Sequence, residues 1–366
     1  MRGATRRVFI GLLIASAALL SVPVSAQPVE IPTQFCRGFF FVPVQSTQRD
    51  PTPERTLWFL FDTGATTTWV DREALQRLTG RLLAPDTRVA LTDAAAGPVR
   101  FNRLRARVRD LDYLSLILGR QIDGILAFRT FRDYLLTLDY ASQRLLIEPG
   151  ELPRPDERSV FSARGPDHRP WLELRVGGHA RRLLIDSGAS GGFALNAINQ
   201  FRTLAPPRPA GAVMKIDGLH LRHAARLHGN VVMGPHRFLS PIVDETDDTE
   251  LLGAEVMEHF IWTFDQQRRR VRIARHGSGR LDWAPMHAHG MVLAPRDDVL
   301  QVEAIIPGSP AARADLRVGD LVTHLNGRPL TDRGCRRETD SATMSVTRTR
   351  GGALATVQLT LKPIVD

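Results

Sequence analysis

Short apolar runs separated by glycine and proline dominate the chain between residues 36 and 275. Runs of this length that are bounded by turn-forming residues predict β-strands. Helical patterns are short, at residues 71–79 and 196–201. The hydrophobic pattern therefore predicts a mainly β fold. Two of the apolar runs lead directly into the related tetrapeptides Asp62-Thr63-Gly64-Ala65 and Asp186-Ser187-Gly188-Ala189.

The two tetrapeptides belong to a longer repeat. Asp62 and Asp186 are 124 positions apart, and the later pair Asp139 and Asp265, each at the end of an apolar run, is 126 positions apart. A nearly constant offset over separate motifs indicates duplication of one unit. Proline-rich and glycine-rich linkers then divide the chain into an export signal at residues 1–26, a first lobe at 27–150, a second lobe at 158–276 and a further module at 287–366.

An aspartate at the end of each of two repeated strands predicts paired carboxylate chemistry. Two carboxylates about one hydrogen bond apart cannot both ionise, so they hold one proton between them. Such a pair takes a proton from water and donates one to a substrate carbonyl. Gly64 and Gly188 allow a tight turn, and the hydroxyls of Thr63 and Ser187 are suited to brace the opposite loop.

These motifs resemble the pepsin and retropepsin superfamily of aspartic peptidases, and Ala65 and Ala189 are closer to the retroviral form. The resemblance covers residues 36–275. It implies two pseudo-twofold-related closed β lobes with Asp62 and Asp186 as the catalytic pair at their interface. The hairpin at residues 89–101, with Asp93 and Gly97, maps onto a substrate-covering flap, and residues 212–221 form its counterpart.

The expected activity is endoproteolysis of polypeptide substrates by a monomer, because one chain carries both aspartates. No cofactor and no metal are expected. One departure from the family pattern is Ala127, which stands where the second copy has Gly253 and adds a methyl group in a crowded place.

Three other interpretations compete with this one. Ser187 and Ser190 lie in a segment similar to the nucleophile loop of serine peptidases, but His168 and His179 leave no room for the usual upstream barrel. The metal interpretation depends on two groups of histidines. One group is His220, His223 and His228, the other is His287 and His289, and neither has the usual ligand spacing. An inactive peptidase fold that serves as a binding scaffold is the remaining alternative.

Residues 290–364 resemble a bacterial PDZ domain, a small β/α module, through Pro307-Gly308-Ser309-Pro310-Ala311, Gly319-Asp320 and Asn326-Gly327. The resemblance implies that protein C-terminal tails bind as an added strand, with their carboxylate at the loop Gly290-Met291-Val292-Leu293. The expected groove helix, residues 331–341, is polar and contains Gly334. Recruitment of tails and docking on the lobes both stay open.

The N-terminus has the layout of a secretory signal. Arginines precede an apolar run from Val8 to Val22, and small residues end at Ala26. The order Thr5-Arg6-Arg7-Val8-Phe9-Ile10 also resembles the twin-arginine export pattern. The protein is thus expected to be periplasmic or extracellular, without a stable membrane span after cleavage. An uncleaved anchor is the alternative.

The net charge of +9 does not by itself indicate a polyanion partner. The arginines are spread from one end of the chain to the other, so nucleic-acid binding is not expected. Export permits a disulfide between the two cysteines, Cys36 and Cys335. Because they belong to different expected domains, two free thiols are an equally good expectation.

Overall fold

A computed structural model describes residues 27–46, 55–215, 218–335 and 342–366. The expected signal at residues 1–26 lies outside the described residues. Within the described ranges, no helix has the length and apolar character needed to cross a membrane.

The elements of lobe 1 are β1 (Val29–Ile31), β2 (Gln34–Cys36), β3 (Phe39–Ser46), β4 (Leu57–Asp62), β5 (Trp69–Asp71), α1 (Arg72–Thr79), β6 (Arg88–Ala96), β7 (Val99–Arg109), α2 (Asp112–Leu118), β8 (Gly124–Ala127), the 3-10 turn Phe128–Phe131, β9 (Leu135–Asp139) and β10 (Arg144–Glu148). Seven of the strands form a sheet in the order β2-β3-β4-β8-β5-β7-β6, and a further pairing of β3 with β6 closes it on itself. The other three strands, β1, β9 and β10, belong to a separate sheet. Asp71 caps the predicted first helix by accepting hydrogen bonds from the backbone N–H groups of Glu73 and Ala74, both at 2.9 Å, and the helix ends at Gly80 in a left-handed conformation.

Lobe 2 repeats this plan with more strands. Its elements are β11 (Val160–Ser162), β12 (Trp171–Val176), β13 (His179–Ile185), β14 (Phe193–Leu195), the 3-10 turn Ile198–Gln200, β15 (Arg208–Lys215), β16 (Gly218–Arg226), β17 (Asn230–Met233), β18 (His236–Leu239), β19 (Ile242–Glu245), β20 (Leu251–Leu252), α3 (Ala254–Met257), β21 (Phe260–Asp265) and β22 (Arg270–Arg275). The helix predicted at 196–201 is only a 3-10 turn, because Ala197 is left-handed and Phe201 is already extended.

The strands around each aspartate have the same topology in the two lobes. In lobe 1, β4 is parallel to β8 and β5 is antiparallel to it. In lobe 2, β13 is parallel to β20 and β14 is antiparallel to it. The predicted fold class, mainly β with two related closed lobes, is confirmed.

A six-stranded sheet in the order β1-β10-β9-β21-β22-β11 joins the two lobes. Its two central strands, β9 and β21, pair so that Thr137 faces Thr263, with the hydroxyl oxygens 2.9 Å apart. These threonines are equivalent residues of the two copies, so they mark the pseudo-twofold axis. The sheet fixes the relative position of the lobes beneath the two aspartate loops.

The C-terminal module has its own core, which includes Leu300, Val302 and Val322. The elements that follow lobe 2 are β23 (Leu281–Asp282), β24 (Met286–Ala288), β25 (Met291–Arg296), β26 (Val299–Ile305), α4 (Pro310–Arg313), β27 (Leu321–Leu325), β28 (Arg328–Pro329), β29 (Thr343–Arg350), β30 (Ala353–Thr360) and β31 (Lys362–Val365). The sheet of the module has the order β25-β26-β27-β29-β30, and two outlying strands, β24 and β31, pair with each other.

The module packs against both lobes. Helix α2 of lobe 1 inserts Leu116 into the module's core, where Ile117 also packs. Arg333 of the module donates to the carbonyl of Leu116 at 2.7 Å, and also donates to the carbonyl of Ile117. On the other side, Arg226 of lobe 2 donates to the backbone carbonyl of Asp366.

A disulfide joins Cys36 of lobe 1 to Cys335 of the module, with the Cα atoms 4.7 Å apart. The expectation of two free thiols is therefore wrong. The cysteines belong to different domains, as the spacing indicated, but docking of the module brings them together. A covalent bond between residues 299 positions apart then holds the module on lobe 1.

We expect the double substitution Cys36→Ser and Cys335→Ser to lower the free energy of unfolding by about 2–5 kcal/mol, because the unfolded chain regains the freedom that the cross-link removes. Urea unfolding of the oxidised parent and of the double variant measures the difference. Reduced parent protein serves as the control and should match the variant. Two titratable thiols in the oxidised parent, or equal stability of all three samples, would contradict the pairing.

Candidate active site

The two aspartates stand at equivalent strand ends. Asp62 is the last residue of β4, and Asp186 directly follows β13. The strands are anchored by fully buried side chains, among them Phe61 and Ile185. The Asp186 N–H also donates to the carbonyl of Leu252 at 2.9 Å. Packing of the two strands therefore determines where the carboxylates lie.

Thr63 and Ser187 lock the two loops together across the pseudo-twofold axis. The Thr63 N–H donates to the Ser187 hydroxyl at 3.0 Å, and the Ser187 N–H donates to the Thr63 hydroxyl at 2.8 Å. Each hydroxyl in turn donates to a carbonyl of the opposite lobe, Thr63 to Ile185 at 2.6 Å and Ser187 to Phe61 at 3.1 Å. Both side chains are fully buried. The structure thus brings the two predicted braces together.

Gly64 and Gly188 are required by space. A Cβ atom on Gly64 would lie 2.6 Å from Cγ of Asp186, and a Cβ atom on Gly188 would lie 2.5 Å from Cγ of Asp62. Each glycine therefore leaves room for the carboxylate of the opposite lobe. Their N–H groups donate to their own lobe's aspartate, Gly64 to Asp62 at 2.6 Å and Gly188 to Asp186 at 2.8 Å.

The two carboxylates are hydrogen-bonded to each other and have unequal surroundings. Burial, together with the charge of Asp186 and the hydrogen bond to it, raises the pKa of Asp62 well above its usual range. Burial also raises the pKa of Asp186, but the N–H of Gly188, the hydrogen bond with Asp62 and the charge of Arg169 oppose this rise. Both pKa values are thus raised, as expected for two carboxylates that share a proton.

Arg169, which sequence reasoning missed, links the lobes beside this pair. Its guanidinium donates to the Gly64 carbonyl of lobe 1 at 3.2 Å and to the Asp167 carboxylate at 2.8 Å. Asp167 also accepts from the indole N–H of Trp171 at 3.0 Å, and the guanidinium lies 5.3 Å from the centre of that ring. Arg169 is therefore held in place from two sides.

Lobe 1 has an apolar residue at the equivalent position. Trp171 pairs with Leu184 as Phe41 pairs with Leu60, so Arg169 corresponds to the buried Phe39. The arginine belongs to no motif and lies 105 residues from Gly64. Its only sequence signal is that it breaks the repeat, which becomes visible only after the strands are aligned by register.

The loop that supports each aspartate turn also differs between the lobes. The N–H of Gly253 donates to the carbonyl of Gly192 at 2.8 Å, whereas the N–H of Ala127 donates to the hydroxyl of Thr68 at 3.1 Å. A Cβ atom at Gly253 would lie 2.5 Å from the Gly191 carbonyl oxygen. Lobe 1 accommodates the methyl group of Ala127, which is buried, and lobe 2 leaves no space for one.

The competing chemistries receive no geometric support from the described residues. Ser187 uses its hydroxyl in the bonds across the axis and is fully buried, so no substrate carbonyl reaches it. His168 lies near Arg269, 3.5 Å from its guanidinium. Among the residues that the structure describes, no three His, Cys, Asp or Glu side chains are grouped as metal ligands would be.

The predicted flap hairpin is formed by β6 and β7, and it pairs with β3 of lobe 1. Ala95 and Ala94 of β6 pair with Gln45 and Ser46 of β3, and the tip at Gly97 (φ 56°) lies against Pro32. Asp93 is left-handed with φ 52° and is skipped in the ladder. The flap role of this hairpin stays a prediction. The tip of the second hairpin, residues 216–217, lies outside the described residues.

The predicted carboxylate-binding loop of the module makes contacts with other residues of the module. Gly290 is left-handed (φ 82°) and packs against Ser309, where a Cβ atom would lie 2.1 Å from Cβ of Ser309. The Met291 N–H, an expected donor to a tail carboxylate, donates to His289 Nδ1 at 3.0 Å. The side chains of Met291 and Val292 are buried, and that of Leu293 is partly buried in the module's core.

The expected groove helix, residues 331–341, is described only in part. Residues 331–335 are not helical, and residues 336–341 lie outside the described ranges. Helix α2 of lobe 1 packs on β25, with Leu116 in the core beside it. These contacts hold the module against lobe 1.

Two comparisons with known proteins bear on the chain. A search of curated proteins returns no match. The family model for the PDZ domain matches residues 301–337, which contain the motifs Pro307-Gly308-Ser309-Pro310-Ala311, Gly319-Asp320 and Asn326-Gly327. The C-terminal module therefore carries a PDZ domain, and its match supports a peptide-binding or docking module.

Proposed function

We propose that the protein is an aspartic endopeptidase in which Asp62 and Asp186 activate water, with the PDZ module docked on both lobes. The observation that carries the proposal is the reciprocal bonding of Thr63 and Ser187, which holds two partly buried carboxylates in contact across a pseudo-twofold axis. Holding two carboxylates in contact raises their pKa values and costs stability. Acid–base catalysis by two carboxylates that share one proton requires this arrangement.

In the proposed reaction, a water molecule lies between the carboxylates and attacks the scissile carbonyl carbon. The ionised member accepts a proton from the water, while the protonated member donates its proton to the carbonyl oxygen. The tetrahedral intermediate then collapses as the leaving nitrogen receives a proton. The residues named here supply acid and base without a covalent intermediate.

Arg169 supports a division of labour between the two aspartates. Its charge favours the ionised form of Asp186. Burial and the neighbouring carboxylate raise the pKa of Asp62, which favours the protonated form of that residue. In our proposal Asp186 is the base in the resting pair and Asp62 is the acid. Arg169 is a positioning residue, since its carbonyl contact and its charge act through Gly64 and Asp186.

The remaining parts of the proposal follow from the sequence. The substrate is an extended polypeptide, and both aspartates come from one chain, so a monomer suffices. The signal pattern at residues 1–26 supports export to the periplasm or the extracellular space. The engaged loop at Met291 and the insertion of Leu116 favour docking over capture of protein tails as the main role of the module.

Asp62→Asn and Asp186→Asn should each reduce peptide hydrolysis by roughly a thousandfold or more, because either amide removes the shared proton. The double variant should be about as inactive as each single one, since the residues act as a unit. Casein digestion measures the loss. The exposed Asp133→Asn is the matched control and should keep parental activity. Near-normal turnover by either variant would refute the dyad, and an inactive parent would favour the scaffold alternative.

The pKa shift of Asp62 also predicts how stability depends on pH. Because its folded-state pKa is raised above the ordinary 3.8, the folded protein binds the proton more tightly than the unfolded chain. The parent should therefore lose stability as pH rises from 3.8 through the raised pKa. Asp62→Asn should be more stable than the parent at neutral pH, and the difference should shrink towards pH 3. Parallel stability curves in urea unfolding would contradict the shift.

Arg169→Met should move the acid limb of the pH–activity profile to higher pH, because Asp186 then ionises less readily. Arg169→Lys keeps the charge and should shift the limb less. Arg158→Met, at an exposed position at the start of lobe 2, removes the same charge elsewhere and should leave the limb in place. Carbon-13 NMR of labelled aspartate carboxyls reads the same titration without turnover. An unchanged acid limb in Arg169→Met would refute the positioning role.

A further inference from the structure

Strand β7 carries a line of arginines on one face. Arg103, Arg105, Arg107 and Arg109 alternate with Leu104, Ala106 and Val108, which are buried in the core of lobe 1. Residues two apart along a strand project to the same side, about 6.8 Å from each other. Four guanidinium groups are therefore aligned over roughly 20 Å. We call these four residues and Arg88 the arginine stripe.

The strand next to the stripe does not neutralise it at the paired positions. Arg103 pairs with Thr92, Arg105 pairs with Ala90, and Arg107 pairs with Arg88. Two like charges directly opposite each other on a sheet destabilise the pairing. The fold therefore keeps a repulsive arrangement that a threonine or a glutamate at either position would relieve.

The strand on the other side offers an aromatic surface. The guanidinium carbons of Arg107 and Arg109 lie 5.6 and 5.4 Å from the ring centre of Trp69. The carboxylate of Asp71, which pairs with Arg109 in the register, already accepts three backbone N–H groups. Asp110, directly after the strand, is held by Arg72 at 2.8 Å.

The shape of the stripe favours one linear partner. Its four arginines on β7 form a line one strand wide, with the neutral residues Ala90 and Thr92 along one side and Trp69 along the other, and Arg88 of β6 widens it only beside Arg107. Binding to a flat anionic surface would require positive charge spread over a wider area of the protein than this line covers. An extended polypeptide presents alternate side chains at the same spacing of about 6.8 Å, and arginine binds carboxylates through paired N–H groups.

We infer that the arginine stripe is a docking surface for an extended acidic polypeptide with aspartate or glutamate at alternate positions. As a surface that selects substrates, the stripe rests on the proposed peptidase function. As a binding surface, it does not depend on that function. The stripe lies on the second strand of the predicted flap hairpin.

The test measures binding of a fluorescent decapeptide that alternates glutamate and serine, with a glutamine–serine peptide of the same length as reference. Fluorescence anisotropy in the Asp62→Asn background avoids cleavage of the probe. We expect the acidic peptide to bind more tightly than the neutral one and its affinity to fall as salt is raised.

The variant Arg103→Gln with Arg105→Gln should weaken binding of the acidic peptide by roughly tenfold, since two exposed ion pairs are lost. Both side chains are exposed, so the fold should be unaffected, and circular dichroism checks this. The matched control, Arg154→Gln with Arg158→Gln, removes the same charge from exposed positions where lobe 2 begins and should bind like the parent.

Equal affinity of the stripe variant and the parent would overturn the proposal, and so would an equal loss in the linker control. Stripe-dependent binding of a single-stranded oligonucleotide or of phosphatidylglycerol vesicles, without binding of the acidic peptide, would show that the partner belongs to another class. If the peptide binds through the stripe while the parent hydrolyses nothing, the docking surface stands and the peptidase proposal fails.

Discussion

The architecture depends on one reciprocal contact, in which the N–H groups and hydroxyls of Thr63 and Ser187 bond across the pseudo-twofold axis. Without it, two partly buried carboxylates with raised pKa values would separate, because their mutual repulsion and desolvation oppose contact. Gly64 and Gly188 complete the arrangement, since each leaves the space that the opposite carboxylate occupies. The strands that position the two carboxylates, β4 and β13, lead directly into these two loops.

The rest of the fold holds the crossing from below and from the side. The six-stranded sheet repeats the axis at Thr137 and Thr263, so the lobes are joined at two levels. The PDZ module adds a third connection, because Leu116 lies in its core and a disulfide ties it to lobe 1. A third domain that contacts both lobes restricts how far they can move apart.

Departures from symmetry carry the specific chemistry. Phe39 and Arg169 occupy equivalent positions, yet only the arginine brings a positive charge beside the pair, where it opposes the rise in the pKa of Asp186. The arginine stripe is likewise confined to lobe 1. Duplication supplies the paired carboxylates, and divergence of the copies supplies the differences on which our proposals for acid–base chemistry and partner selection are based.

The sequence by itself determined the repeat, the β class, the helix capped by Asp71 and the four residues Asp62, Thr63, Asp186 and Ser187, because strand periodicity and turn chemistry are local properties. Spacing along the chain could not determine the rest. Whether Cys36 meets Cys335, whether Arg169 reaches Gly64 and whether α2 completes the PDZ core are decided by packing between distant segments. Arg103, Arg105, Arg107 and Arg109 already alternate along the sequence, whereas Arg88 joins their line only because β6 pairs with β7.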